Sequence, residues 1–214
     1  MRFHDRSDGG RRLAALLGAY RDGDTLVLAL PRGGVPVAAE VARALAAPLD
    51  VLVARKIGAP GQPEYAVGAI AEGGGLLVDR QAASEAGIDA AALARAAERE
   101  AIELARRVER YRGGRPLPPV AGRTVLLVDD GVATGRTALA ALRALRERAP
   151  RRLVLAAPVV AAATVPALRG EVDDLVAVAT PEPFAAVGQW YDRFDQTTDE
   201  EVVALLARAA AERR

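Results

Sequence analysis

Along most of this chain, short runs of apolar residues alternate with amphipathic stretches. Thr25–Leu30 precedes Val35–Ala46, Thr124–Val128 precedes Ala138–Arg148, and Leu153–Ala156 precedes Ala161–Leu168, with further runs at Asp50–Ala54 and Leu175–Val178. A strand that meets water on one face alternates apolar and polar residues. One that is apolar throughout must be covered on both faces, as helices crossing between parallel strands do. The order therefore predicts an α/β fold with a doubly wound, mostly parallel sheet. Ahead of it, Leu13, Leu16, Leu17 and Tyr20 recur at helical spacing behind Ser7 and Asp8, which predicts a short covering helix. With 214 residues, 51% of them hydrophobic, one domain over 1–214 is expected.

Two segments interrupt the rhythm. Gln81–Arg112 predicts a long helix with Ala97, Ala101, Leu104, Val108 and Tyr111 on one face, which either lies on the core or forms the seam of a homodimer. Gly113–Pro119 closes this helical insertion and linker, residues 81–119, and returns the chain to the sheet. Residues 181–214 are left for a small C-terminal hood and a final helix.

Composition removes several kinds of chemistry. There is no cysteine, and His4 is the single histidine, so thiolate nucleophiles, disulfides, Ser-His-Asp catalysis and a dedicated protein metal site are not expected. The 29 basic and 28 acidic residues leave a net charge of +1 spread along the chain, so neither nucleic acid nor a membrane surface is an expected partner. The charge-free stretch Leu153–Leu168 contains Pro158 and Pro166 and falls short of the roughly 20 residues of a membrane span. Phe3 is followed by His4, Asp5 and Arg6 rather than by a signal-peptide apolar run, and the expectation is a cytoplasmic protein.

What remains is chemistry by Arg, Lys, Asp, Glu and main-chain amides. The strongest signal is the segment Val125–Thr137, in which a buried strand ends in Asp129 and Asp130 and a small-residue turn opens a helix. The turn lets the amides of Ala133, Thr134, Gly135, Arg136 and Thr137 converge at a helix N-terminus, where they form a cradle for a terminal phosphate. Two carboxylates just before the cradle can accept bonds from vicinal hydroxyls and stabilise positive charge developing on a sugar. The parts describe a ribose 5-phosphate site. A Walker A loop needs other glycine spacing and a lysine, and a dinucleotide fingerprint needs three glycines. Helix capping by Asp130 and Thr134 alone explains the turn but not two acids after an apolar strand.

This segment resembles the phosphoribosyl-diphosphate (PRPP) motif of type I phosphoribosyltransferases, over a core from Thr25 to Thr180. The resemblance implies a parallel-sheet core, a loop that closes over the active site, a hood that selects a small planar acceptor, and magnesium-assisted transfer of ribose 5-phosphate. Leu30–Val35 looks like the family's pyrophosphate loop, with Arg32, Gly33 and Gly34 as ligands; such loops often hold a non-proline cis peptide near the arginine. Arg55–Tyr65, an irregular turn-rich stretch, resembles the mobile loop, with Arg55 and Lys56 for the pyrophosphate. Lys56 is the single lysine among 29 basic residues, which suggests a position wanting a compact ammonium. The implied catalytic set is Asp129, Asp130, Lys56 and Arg32.

All three segments start where a predicted strand ends, the edge at which open α/β sheets bind ligands. Four of the eight aromatic residues (Phe184, Trp190, Tyr191 and Phe194) fall together in the hood. They form either a stacking face for the acceptor or a small core that pins the final helix. In family members acting on 6-oxopurines the position of Ala133 usually carries an acid, so its absence speaks against hypoxanthine and guanine. The lack of an N-terminal cysteine speaks against the amidotransferase branch. Thr134-Gly-Arg-Thr137 also resembles relatives that bind PRPP or nucleotides and regulate RNA, which leaves a regulatory protein as the alternative to an enzyme.

Overall fold

The structure, a computed structural model, describes residues 1–73 and 75–212. Helix α1 (Arg6–Leu16) leads into β1 (Thr25–Ala29), α2 (Gly34–Leu45) and β2 (Leu49–Val51). Three strands follow, β3 (Ala54–Ala59), β4 (Gln62–Ala71) and β5 (Gly75–Val78), and then helices α3 (Arg80–Glu85) and α4 (Ala90–Arg112). The chain returns through β6 (Thr124–Val128), α5 (Arg136–Arg146), β7 (Arg152–Val159), α6 (Val165–Arg169), β8 (Asp174–Ala179) and α7 (Asp199–Ala211).

The central sheet is parallel throughout, in the order β2-β1-β6-β7-β8. The apolar runs of β1, β6 and β7 are buried because both faces of the sheet are covered there. Val27, Ala29, Leu126, Val128, Val154 and Ala156 face the layer containing α1, α2 and α7. Leu26, Leu28, Val125, Leu127, Leu153 and Leu155 face α5 and residues Ala54, Ala69 and Ala71 of β3 and β4. The expected doubly wound α/β fold is present. Winding runs outward from β1 to β2 on one side and from β6 through β7 to β8 on the other. The loops after β1 and β6 therefore part at the switch point, where such sheets form a crevice.

Several local expectations are corrected. Arg55–Tyr65 is a hairpin and not irregular: β3 pairs with β4, and β4 with β5, in a separate antiparallel sheet. Pro60 and Gly61 occupy its turn, Gly61 at φ +78°, while Ile57, Ala59 and Val67 bury against α3 and α4. The run Asp50–Ala54 divides accordingly, its first residues in β2 and Ala54 opening β3. Gln81–Arg112 is two helices, because Gly87 turns at φ +65° and Asp89 caps a new start by accepting from the Ala92 N–H at 2.6 Å. Ala161–Leu168 is a short 3-10 turn followed by α6, with Pro166 in the first turn of that helix. On α4, Leu104, Val108 and Tyr111 pack on the chain's own core.

The insertion is pinned at its root by Arg112, whose side chain is 1% exposed. It donates to the Val51 carbonyl at 3.0 Å and the Arg115 carbonyl at 3.1 Å, and pairs with Glu72 just after β4. Asp50 lies buried nearby, its carboxyl raised by desolvation and partly lowered by Arg112. Removing the cation leaves two acids without their counter-charge. Arg112→Leu should cost about 3–5 kcal/mol in urea denaturation, and combining it with Glu72→Leu should recover part of the loss. A single variant as stable as wild type would mean that the pin carries no load.

Candidate active site

The site forms where the loops after β1 and β6 meet. At the end of β1 the Leu30 N–H donates to the Val128 carbonyl at 2.9 Å, and the chain then turns through a cis peptide between Pro31 and Arg32 into α2. This turn lies hard against the diacid. A Cβ on Gly33 would stand 2.0 Å from Asp130 Oδ2, and one on Gly34 would stand 2.7 Å from the Val128 carbonyl and 3.0 Å from the Asp129 Cα. Glycine is thus required on the first loop by the approach of the second, and two motifs far apart in sequence are in contact.

The two acids are buried together. Asp129 Oδ1 accepts from the Asp130 N–H at 2.8 Å, while Asp130 Oδ2 accepts from Arg6 Nε at 2.8 Å. Burial pushes the Asp129 carboxyl well up, and the Asp130 charge beside it adds to this. Burial raises Asp130 as well, against the pull of Arg6. Tyr191 donates its hydroxyl to the Asp130 main-chain carbonyl, and burial beside the acids pushes that phenol up too.

Beyond the acids, Gly131 gives way to the cradle. Gly135 turns at φ +73° as the N-cap of α5 and offers no side chain to the helix start, so the first-turn amides face the crevice. Asp129, Thr134, Gly135, Arg136 and Thr137 line a cavity of about 150 Å³ together with Val187 from the hood. Val187 approaches Gly131 closely enough that a Cβ there would lie 2.5 Å from its Cγ1.

The remaining expected residues point elsewhere. Arg32 Nη1 lies 3.7 Å from Asp199 Oδ1 at the start of α7, where Tyr111 also donates at 2.6 Å. Arg55 Nη2 pairs with Glu100 Oε2 of α4 at 2.8 Å, and Arg55 and Lys56 line a separate cavity of about 400 Å³ with Arg99 and Glu100. Arg136 Nη2 reaches Asp79 Oδ2 at 2.7 Å, at the cap of α3. The structure therefore brings Gly33, Gly34, Asp129, Asp130 and Ala133–Thr137 together and holds Arg55 and Lys56 on the hairpin.

The aromatic cluster divides. Tyr191 is 2% exposed and packed on Phe3 and Phe194, so the expectation of an acceptor face fails for this ring because it is buried. Phe184 and Trp190 stack on each other at 5.9 Å and are half-buried. The N-terminus fastens this hood: the Phe3 N–H donates to the Trp190 carbonyl at 2.8 Å and the Asp192 N–H to the Phe3 carbonyl at 2.9 Å. Sequence reasoning missed Arg6 and Val187. Nothing local separates Arg6 from the other arginines, and Val187 carries no polar group to draw notice.

The chain belongs to the phosphoribosyl transferase family: residues 4–185 match the family described as Phosphoribosyl transferase domain. It is 49% identical over 207 residues to a Mycobacterium tuberculosis protein named "Putative phosphoribosyl transferase", a match that covers 97% of this chain. The chain spans about half (47%) of that relative's length. It is similar to the crystal structure of TT1426 from Thermus thermophilus, with a TM-score of 0.81 and 46% identity, covering 97% of this chain and 99% of that one. The AQ2163 protein of Aquifex aeolicus shares the fold at 10% identity and a TM-score of 0.54, over 86% of this chain and 78% of that one.

Among the described residues, no helix is long and apolar enough to cross a membrane. Likewise no three His, Asp or Glu side chains converge as a metal cluster.

Two substitutions read the site through stability. Gly33→Ala forces a methyl onto Asp130 and should cost about 1–3 kcal/mol in urea denaturation. Asp129→Asn should do the opposite. A carboxyl raised by burial stabilises the fold while protonated, and that contribution is lost as pH rises through its raised value. The amide should therefore raise the unfolding midpoint at neutral pH, with a gain that shrinks on acidification. A gain independent of pH would show that Asp129 carries no buried charge.

Proposed function

We propose that the chain binds PRPP and transfers its ribose 5-phosphate to a ring nitrogen of a small planar acceptor, releasing pyrophosphate. The observation that carries this reading is the contact of the Gly33–Gly34 turn with Asp129 and Asp130 beside the amide cradle. Backbone for one phosphate group, carboxylates for a sugar and a glycine turn for a second anion stand in one crevice.

In this mechanism Ala133–Thr137 hold the 5-phosphate and Asp129 and Asp130 accept the ribose hydroxyls. Arg32, Gly33 and Gly34 receive the pyrophosphate. The bond from the anomeric carbon to pyrophosphate breaks, carrying its electron pair to the leaving oxygen. The acceptor nitrogen forms the new bond and gives up its proton to solvent. Positive charge on the ribose ring at the transition state is stabilised by the two carboxylates, already desolvated and in place. Arg55 and Lys56 ride on the β3–β4 hairpin, and its folding over the crevice brings them to the leaving group and shuts out water. Magnesium would be held mainly by substrate oxygens and water, since hard oxygens are its preferred ligands and the diphosphate supplies them. When bound, magnesium neutralises charge on the diphosphate.

Ala133 offers no acid for a 6-oxopurine, so adenine-type or pyrimidine-type rings fit better, against Val187 and the Phe184–Trp190 pair. Nucleic acid and membrane have no part in this reading, and the reaction belongs in the cytoplasm.

At 100 times its dissociation constant, PRPP with magnesium should stabilise the fold by about 2.7 kcal/mol, read as a rise in melting temperature. Pyrophosphate release across a panel of nucleobases should then identify the acceptor. With that acceptor, Lys56→Ala should lower kcat by about tenfold or more while changing PRPP affinity less. A shift with PRPP but no release from any base would favour the regulatory alternative. No shift at millimolar PRPP would overturn both.

A further inference from the structure

The diacid has one charged neighbour that this mechanism does not use. Arg6, the first residue of α1, donates from Nε to Asp130 Oδ2 at 2.8 Å and from Nη1 to the Asp195 carbonyl at 2.6 Å. Its guanidinium lies 3.8 Å from the centre of the Phe194 ring. The Arg6 and Asp130 side chains are only 12% and 13% exposed. A planar, permanently charged fork stacked on a ring and bonded at two nitrogens has little freedom to swing.

Asp130 is faced from each packed element by few groups. Asp129 adjoins it, Gly33 brings no side chain, and Tyr191 donates to its main-chain carbonyl, with the Asp8 carboxylate near that phenol. Among the described residues Arg6 is the cation bonded to the pair. Two adjacent carboxylates out of water repel each other, and without a cation one would take a proton. A protonated carboxyl is a weaker acceptor and supplies no negative charge to a cationic ribose.

We infer that Arg6 is a positioning residue: it holds the Asp130 carboxylate charged and fixed for the ribose, and it links that carboxylate to the hood through Phe194 and Asp195. The link is a closed circuit. Phe194 stacks on Tyr191 at 5.1 Å, Tyr191 packs on Phe3 at 5.3 Å and bonds the Asp130 carbonyl, and the segment from Phe3 leads back to Arg6. A shift of the hood therefore moves the guanidinium, and with it the acid. The inference rests on the ribose role proposed for Asp130.

The test compares wild type, Arg6→Gln and Arg6→Lys, each checked for folding by its melting curve. In the ligand-free proteins the carboxyl carbon of Asp130, assigned with Asp130→Asn, is followed by NMR against pH. Arg6→Gln should move its titration to higher pH, and Arg6→Lys should restore part of the shift. PRPP with magnesium should bind Arg6→Gln about tenfold or more weakly at pH 6, with the loss narrowing toward pH 9. Inorganic phosphate, which needs only the cradle, should bind all three alike. An Asp130 titration unmoved in Arg6→Gln overturns the inference even if PRPP binds wild type. So does tighter PRPP binding by that variant, since Arg6 would then be a plug. If PRPP fails to bind wild type, the ribose reading falls, and the NMR titration still decides whether Arg6 keeps Asp130 charged.

Discussion

The approach of Asp130 to Gly33 organises this molecule. One carboxylate oxygen stands where a side chain on residue 33 would have to be, so the loops leaving β1 and β6 close on each other without an intervening side chain. Parallel neighbours in a doubly wound sheet normally leave a crevice at this point. Here the crevice floor is two acids and a glycine turn. Closing it removes the acids from water, and burial raises both carboxyls. The fold tolerates this because Arg6 comes in from α1, and Arg6 is held because the first strand-like residues of the chain are bonded to the hood. The N-terminus is thus part of the site, although it lies at the opposite end of the sequence from the hood it fastens.

The parallel core was legible because four of its five strands carry an unbroken apolar run, Leu26–Ala29, Val125–Val128, Leu153–Ala157 and Leu175–Ala179, a pattern with few other solutions. The cradle was legible because its residues are contiguous and their spacing is fixed by backbone geometry. The hairpin was misread for a physical reason. Arg55–Tyr65 contains Gly58, Pro60 and Gly61, which mark turns, and before that turn only Ile57 and Ala59 alternate with polar or small residues, too short a run to detect as a strand. The long helix was overextended because Gly87 costs a helix only about 1 kcal/mol on propensity alone, and the cap at Asp89 decides the break. Arg6 was illegible altogether. Its partners are Asp130, Phe194 and Asp195, and no local pattern encodes a contact across so much chain.

The aromatic cluster shows what composition leaves open. Four rings in eleven residues of an aromatic-poor chain read equally as a binding face and as a small packing core. In the structure Tyr191 is buried between its contacts with Phe3 and Phe194, and Arg6 lies over the Phe194 ring. The surface that reaches the cradle is Val187, a residue made conspicuous only by its closeness to Gly131. On the proposed reading, an aliphatic wall of this kind would exclude water beside the acceptor, and the Phe184–Trp190 pair would be left to orient it.

Magnitudes separate the arginines of the site into two kinds. Arg32, Arg55 and Arg136 each pair with a carboxylate outside the cradle, Asp199, Glu100 and Asp79 respectively. All six side chains lie between 18% and 32% exposed, where water screens the pair and competes for its hydrogen bonds. Such ion pairs contribute roughly 0.2–1 kcal/mol, less than a charge-assisted bond to phosphate in a closed site. On the proposed reading these cations can leave their carboxylates for the oxygens of PRPP at little cost, and the displaced acids remain hydrated. The Arg6–Asp130 pair is of the other kind. Its members are about one-eighth exposed, and separating them strands a charge beside a second buried acid. Ligand exchange at the phosphate groups and permanence at the ribose therefore follow from exposure alone, with no difference in the chemistry of the side chains.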